Sequence, residues 1–269
     1  MNQRRFIDKY GPWAVVTDAS DGIGLAFSEE LAAIGLNLVL VARRADRLYA
    51  LSSDLRSKYG TETLVVPADL SNPEGLATVD EATADLDVGL LVAAAGYGTS
   101  GPLLGANLTR ERNMLEVNCF AVLQQVVVFG NRLTRRRRGG IILMSSLVGW
   151  QGVPQSAHYA ATKAYVQSLA EALRFELKPQ GVDVLASAPG PVHSGFAARA
   201  DMRMGAAATP ASVAKASIIA LGRKGTVLPG GLTKLLTYSL LPLPRSIRTI
   251  ILAKVMGGMT RHQTTGASA

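Results

Sequence analysis

Seven short apolar runs alternate with helical stretches along this chain, and no other feature limits its possible folds so tightly. The runs fall near residues 13–17, 37–42, 63–66, 88–94, 140–145, 182–187 and 226–229, and the helical stretches near 22–35, 44–59, 73–85, 108–137, 157–178 and 210–222. Neighbouring parallel strands cannot be joined by a tight hairpin, so helices between successive strands predict a parallel sheet with helices on both faces. The expected fold class is α/β, a single doubly wound parallel sheet. With 269 residues, 48% of them hydrophobic, the chain can bury the core of one such domain. We place that domain at residues 1–230 and treat 231–269 as a C-terminal extension.

The first run, Trp13-Ala14-Val15-Val16-Thr17, is followed by Asp18-Ala19-Ser20-Asp21-Gly22-Ile23-Gly24 and by a helical stretch that Gly35 closes. Strand, glycine turn and helix in that order present backbone N–H groups and the positive end of a helix dipole to a pyrophosphate. The second run ends in Arg43-Arg44, with Ala42 where an acidic residue would bind a ribose 2′-hydroxyl. Arginine there suits a 2′-phosphate, which favours NADP(H) over NAD(H).

Tyr159 and Lys163 lie four residues apart in a helical stretch, so they share a face. A phenol titrates near pH 10, and a neighbouring cation favours its phenolate. Ser146 precedes Tyr159 by thirteen residues, just past the fifth apolar run. A carbonyl oxygen that gains charge as hydride arrives needs a hydrogen-bond donor and a proton source. Ser146 supplies the first and Tyr159 the second.

These motifs together resemble the short-chain dehydrogenase/reductase family over about residues 11–230, nearest its branch of hydroxysteroid dehydrogenases and long-chain 3-oxoacyl reductases. The likeness rests on the turn from Thr17 to Gly24, Asp69 after the third run, Ala93-Ala94-Ala95-Gly96, Asn118, Ser146, Tyr159 with Lys163, and Pro189-Gly190-Pro191-Val192-His193-Ser194. It implies a Rossmann-like sheet with Asn118, Ser146, Tyr159 and Lys163 as catalytic residues. Cofactor contacts are implied for Thr17, Ser20, Asp21, Gly22, Ile23, Gly24, Arg43, Arg44, Asp69, Leu70, Ala94, Ala95 and Gly96. The same holds for Tyr159, Lys163, Pro189, Gly190, Val192 and Ser194. By the same resemblance Lys163 holds the nicotinamide ribose, Asn118 holds a water that links Lys163 to solvent, and Ser194 bonds the carboxamide. The implied substrate is a lipophilic carbonyl or secondary alcohol, steroid-like or long-chain oxoacyl. Pairing through the helices near 108–137 and 157–178 would give a homodimer or homotetramer. Asp18 replaces the first turn glycine of the family, and Ala93 and Ala94 replace two asparagines. Those departures motivate the alternative of a non-catalytic or cofactor-impaired binding protein.

The formal net charge is +8, and its placement is uneven: residues 202–269 hold nine Lys/Arg and no acid. Within that tail, 232–241 and 247–256 are apolar segments punctuated by cations, separated by Pro242 and Pro244. Neither approaches the roughly 20 apolar residues of a membrane-spanning helix. The tail is expected to lie on an anionic membrane surface, to roof a lipophilic pocket, or to pack on a second subunit. The run Arg135-Arg136-Arg137-Arg138 reads as a solvated last helical turn rather than a nucleic-acid patch, since no interleaved aromatics accompany it. Cys119 alone cannot form an internal disulfide, residues 1–10 are charged rather than apolar, and three histidines match no metal spacing. The expectation is a cytoplasmic protein, in contact with membrane if the tail makes one, without a metal centre. Trp150, Phe196 and Met202 divide between core packing and pocket lining, and residues 263–269 are expected to be disordered.

Overall fold

The computed structural model of the protein describes residues 3–203, 205 and 207–265. Its strands are β1 (Trp13–Thr17), β2 (Asn37–Ala42), β3 (Thr63–Pro67), β4 (Val88–Ala93), β5 (Gly139–Met144), β6 (Val182–Ser187) and β7 (Thr226–Val227). The helices of the main domain are α1 (Gln3–Tyr10), α2 (Gly22–Ile34), α3 (Ala45–Tyr59), α4 (Pro73–Ala82), α5 (Leu108–Leu115), α6 (Ala121–Arg136), α7 (Ala157–Leu177), α8 (Phe196–Arg199) and α9 (Pro210–Ala220). The extension holds α10 (Gly231–Leu240), α11 (Arg245–Met259) and α12 (Arg261–Thr265). The strands pair in the order β3-β2-β1-β4-β5-β6-β7, every neighbour parallel.

Strand side chains alternate between faces, so each run feeds two cores. Ala14, Val16, Leu38, Leu40, Leu90 and Val92 join Phe27 and Leu31 of α2 and Ile218 of α9 on one side. Val15, Val39, Val41, Leu91 and Ile141 join Val126 and Phe129 of α6 and Val166 of α7 on the other. Burial on both faces is why the runs are continuously apolar, and each such side chain stabilises the fold by about 1.5–3 kcal/mol. The strand order reverses between β1 and β4, which opens a crevice at their carboxyl ends.

The amino-terminal helix α1 is an element that the sequence pattern did not predict. Its residues Phe6 and Tyr10 are buried, and the Tyr10 hydroxyl donates to Asp183 Oδ2 at 2.6 Å. A Cβ at Gly89 would collide with Tyr10 O and Gly11 O, so glycine in β4 is what lets this segment close the amino-terminal edge of the sheet. The arginine run is tied into the same edge, not simply solvated. Arg136 donates to Gly11 O at 2.9 Å and pairs with Asp87 at 3.0 Å, and Arg138 pairs with Asp87 and bonds Asp8 O.

In the extension, Leu240, Leu252 and Met256 form a third cluster with Val153, Ala160, Ala200 and Met202 of the main domain. Residues 263–265, expected to be disordered, belong to α12, where Gln263 Nε2 donates to Ser100 Oγ at 2.7 Å and to Asp201 O at 2.8 Å. Residues 266–269 lie outside the described residues.

Candidate active site

The crevice holds two adjoining compartments of about 250 and 80 Å³. Its nucleotide flank begins at Thr17, fully buried, whose Oγ1 accepts from Ala94 N and Ala95 N at 3.0 Å and so joins the ends of β1 and β4. Asp18 follows with φ 55°, in the left-handed region where a glycine is unstrained and which Asp tolerates better than most residues. Its side chain lines both compartments without closing the cleft. Burial pushes the Asp18 carboxyl up to about 6, against the pull of Arg199, Arg44 and Arg43, with Asp21 adding to the rise.

Asp21 caps α2 by accepting from Gly22 N at 2.7 Å. A Cβ at Gly24 would collide with Asp18 O, so glycine lets the turn wrap closely onto the helix start. Gly22 has φ 54°, and a Cβ there would fall 3.2 Å from Ser194 Cβ of the loop after β6. Arg44 Nη2 donates to Ser20 Oγ at 3.2 Å and lies 3.5 Å from Asp21. Arg43, exposed, lines the larger compartment with Asp69, Leu70, Ala95 and Gly96, and has no ion-pair partner among the described residues. The smaller compartment takes Ile23, Ala94 and Ser194. A tight glycine turn after β1, beside an arginine with no ion-pair partner among the described residues, fits a phosphate-bearing dinucleotide. Pro189, Gly190 and Val192 line neither compartment. Pro189 O accepts from Leu147 N, Gly190 N donates to Thr233 Oγ1 of α10, and Val192 bridges to Ala208.

On the opposite flank, Ser146 sits just past β5 and caps a single 3₁₀ turn, Leu147–Trp150. Its Oγ accepts from Val148 N and donates to Pro189 O, both at 3.4 Å. Tyr159 and Lys163 lie on the buried face of α7, with Lys163 Nζ 5.8 Å from the Tyr159 ring centroid. Lys163 Nζ donates to Met144 O at 2.8 Å. Burial raises the Tyr159 phenol above its ordinary value, and a hydrogen bond with Ser146 works against that rise. Burial also lowers Lys163 to about 8, against a smaller opposing effect of Cys119. The sequence led to the expectation of a lowered phenol. The outcome is reversed because both groups are desolvated and the ammonium is held by a backbone carbonyl.

Asn118 does not sit in regular α-helix, as the pattern implied, but in a π-helical turn, Glu116–Phe120, between α5 and α6. Such turns recur at functional sites. Fully buried, it accepts from Tyr97 N at 3.1 Å and donates to Tyr97 O at 2.8 Å and Thr162 Oγ1 at 3.0 Å, pinning the loop after β4 to α7. A Cβ at Gly96 would fall 3.0 Å from Asn118 Oδ1 and 3.3 Å from Lys163 Nζ, so this glycine leaves room for both side chains.

The cavity stops short of Tyr159, because Phe196 of α8 packs its ring 5.3 Å from the tyrosine ring and against Gly98. Phe196 is thus the pocket-side residue of the trio left open by the sequence, while Met202 belongs to the third cluster and Trp150 is half-buried. Tyr97, Arg110 and Arg199 also line the cleft. Tyr97 was traceable as the residue after Gly96; the two isolated arginines carried no signal in the sequence.

The chain shares 39% identity over 188 residues, 68% of its length, with a very-long-chain 3-oxoacyl-CoA reductase of Podospora anserina, and the match covers 55% of that reductase. It thus spans little more than half the length of that relative. A solved structure on 7beta-hydroxysteroid dehydrogenase stereoselectivity superposes with a TM-score of 0.85 at 28% identity, covering 92% of this chain and 98% of the other. A short-chain dehydrogenase from Sphingobium yanoikuyae in complex with NADPH superposes with a TM-score of 0.77 at 28% identity, covering 81% and 87%. The profile described as short chain dehydrogenase matches residues 12–204, from the start of β1 past α8, and so takes in the glycine turn, Asn118, Ser146, Tyr159 and Lys163 together. On that match and these likenesses, this chain belongs to the short-chain dehydrogenase family.

Proposed function

We propose that the protein is an NADP(H)-dependent oxidoreductase that interconverts a carbonyl and a secondary alcohol on a lipophilic substrate, steroid-like or long-chain oxoacyl. The observation that carries this reading is the convergence of Ser146, Tyr159 and Lys163 past the end of β5, beside a cleft whose Arg43 has no ion-pair partner among the described residues. Arg43 would hold the 2′-phosphate, the Thr17–Gly24 turn the pyrophosphate, and Asp69 with Leu70 the adenosine. The nicotinamide, when bound, supplies or accepts the hydride.

Ser146 donates a hydrogen bond to the substrate oxygen, and Tyr159 gives that oxygen its proton in reduction or removes it in oxidation. Lys163 keeps a dissociable proton near neutrality, since burial has lowered it to about 8. Asn118 fixes the β4 loop so that Gly96 leaves space for the amine. The third apolar cluster supports a lipophilic substrate, because it joins α10 and α11 to Ala160, the neighbour of Tyr159, and to Phe196. Exposed Phe120, Val127, Tyr165 and Phe175 on the long helices support pairing of subunits.

Nicotinamide fluorescence during titration with NADPH and NADH, followed by turnover of a steroid ketone and a long-chain 3-oxoacyl thioester, tests the proposal. NADPH is expected to bind more tightly than NADH, and one ketone to turn over. Absence of binding by either nucleotide at about millimolar concentration sinks the reading.

A further inference from the structure

Asp18 and Arg199 carry opposite charges, come from different ends of the sequence, and line both compartments of the cleft. They are not paired directly: neither side chain makes a hydrogen bond or ion pair among the described residues. The backbone that delivers Arg199 is nonetheless held. Its N–H bonds Gly195 O at 3.2 Å, and its carbonyl accepts from Arg110 Nη2 at 2.6 Å. The next residue, Ala200, is 1% exposed within the third apolar cluster. The other cations at this end are committed elsewhere, apart from Arg43. Arg44 bonds Ser20 and faces Asp21, and Arg110 bonds the Arg199 backbone.

A carboxylate in place of the turn glycine brings a negative charge into a cleft that has to accept phosphates, and like charges sharing one cleft oppose each other. A cation facing the same space offsets that repulsion. We infer that Arg199 is a nucleotide-binding residue required by Asp18: its guanidinium, presented by α8 across the cleft, compensates the carboxylate so that the phosphates of NADP(H) are accepted. Arg199 is also the strongest charge opposing the upward drift of the Asp18 carboxyl. This role rests on the NADP(H) reading given above.

A double-mutant cycle separates the two. NADPH affinity is measured by nicotinamide fluorescence at about pH 8, above the Asp18 value of about 6, for the natural chain, Arg199→Gln, Asp18→Gly and the double variant. Arg199→Gln is expected to weaken binding about tenfold in the natural chain and less than about threefold beside Asp18→Gly. Arg199→Lys, which keeps the charge, should stay within about threefold of the natural chain, and added salt should shrink every difference. Equal losses in both backgrounds make Arg199 an ordinary phosphate contact and overturn the inference. Tighter binding by Arg199→Gln also overturns it, because the arginine would then be an obstruction. NADPH binding with an additive cycle removes only this role. No NADPH binding by either the natural chain or Asp18→Gly removes the functional reading and this role with it.

Discussion

On one flank of the cleft, Asn118, Ser146, Tyr159 and Lys163 are all less than a tenth exposed, and three of them bond backbone carbonyls at strand ends or in the β4 loop. On the other flank, Asp18 is half-buried, Arg43 and Arg199 are exposed, and none of the three side chains has a bonded partner among the described residues. The first flank is fixed as firmly as the core beneath it, which is what proton transfer at a defined atom requires. The second is solvated, so its affinity for a ligand responds to pH, to salt and to single charges. The proposed reaction chemistry and the proposed ligand choice therefore occupy regions of different rigidity in one crevice.

The sharpest way to break this contrast is Tyr159→Phe, which should lower turnover by about 10²–10⁴-fold and leave NADPH affinity within about threefold, by steady-state kinetics and fluorescence titration. Turnover kept within about tenfold would remove Tyr159 from the chemistry. Next in size is Leu252→Ala in the third cluster, expected to cost about 2–4 kcal/mol of stability in urea unfolding. It should also raise KM for an apolar ketone with NADPH binding unchanged. A lost stability with an unaltered KM would make the extension a prop rather than a pocket wall. Arg43→Ala should weaken NADPH about tenfold and NADH hardly at all, by competing titrations. Equal weakening of both would mean that Arg43 does not read a 2′-phosphate.

The smallest effect belongs to Asp18→Asn. The folded carboxyl titrates at about 6 against 3.8 for the ordinary group, so the folded state prefers it protonated. The contribution of this one group to stability is therefore fully present below pH 3.8 and is lost as pH rises through about 6. Asp18→Asn suffers no such loss. Unfolding free energies of the two from urea titrations should coincide near about pH 3 and part by about 1–2 kcal/mol in favour of the variant above about pH 7, after allowance for the partial exposure of Asp18. Divergence in the opposite sense would show that the carboxylate is stabilising.

The sheet was legible because strands covered on both faces are written as uninterrupted apolar runs, and six of the seven ended within one residue of their expected bounds. The seventh, β7, is a two-residue edge, since Leu228 onward leaves the ladder. The grouping of the proposed catalytic residues was legible because their spacing is short-range: Tyr159 and Lys163 share one helix, and Ser146 lies just past the adjoining strand. What stayed hidden depends on contacts distant in sequence. The burial of Phe6 and Tyr10 follows from Asp183 and Gly89, the edge role of Arg136 from Asp87, and the position of Arg199 from Arg110. The desolvation that raises Tyr159 against its hydrogen bond with Ser146 is likewise a property of the packed whole.

Between α5 and α6 the chain winds one residue wider than a regular helix, so the two segments differ in phase. Were the same residues of Glu116–Phe120 wound as a regular α-helix, α5 would be rotated by about 100° relative to α6. Glu111, which bonds His158 Nδ1 at 2.7 Å and accepts from Thr99 at 3.2 Å, would swing away from both, and Asn113 would leave the Tyr97 hydroxyl. The width of this one turn governs the site as strictly as side-chain identity does.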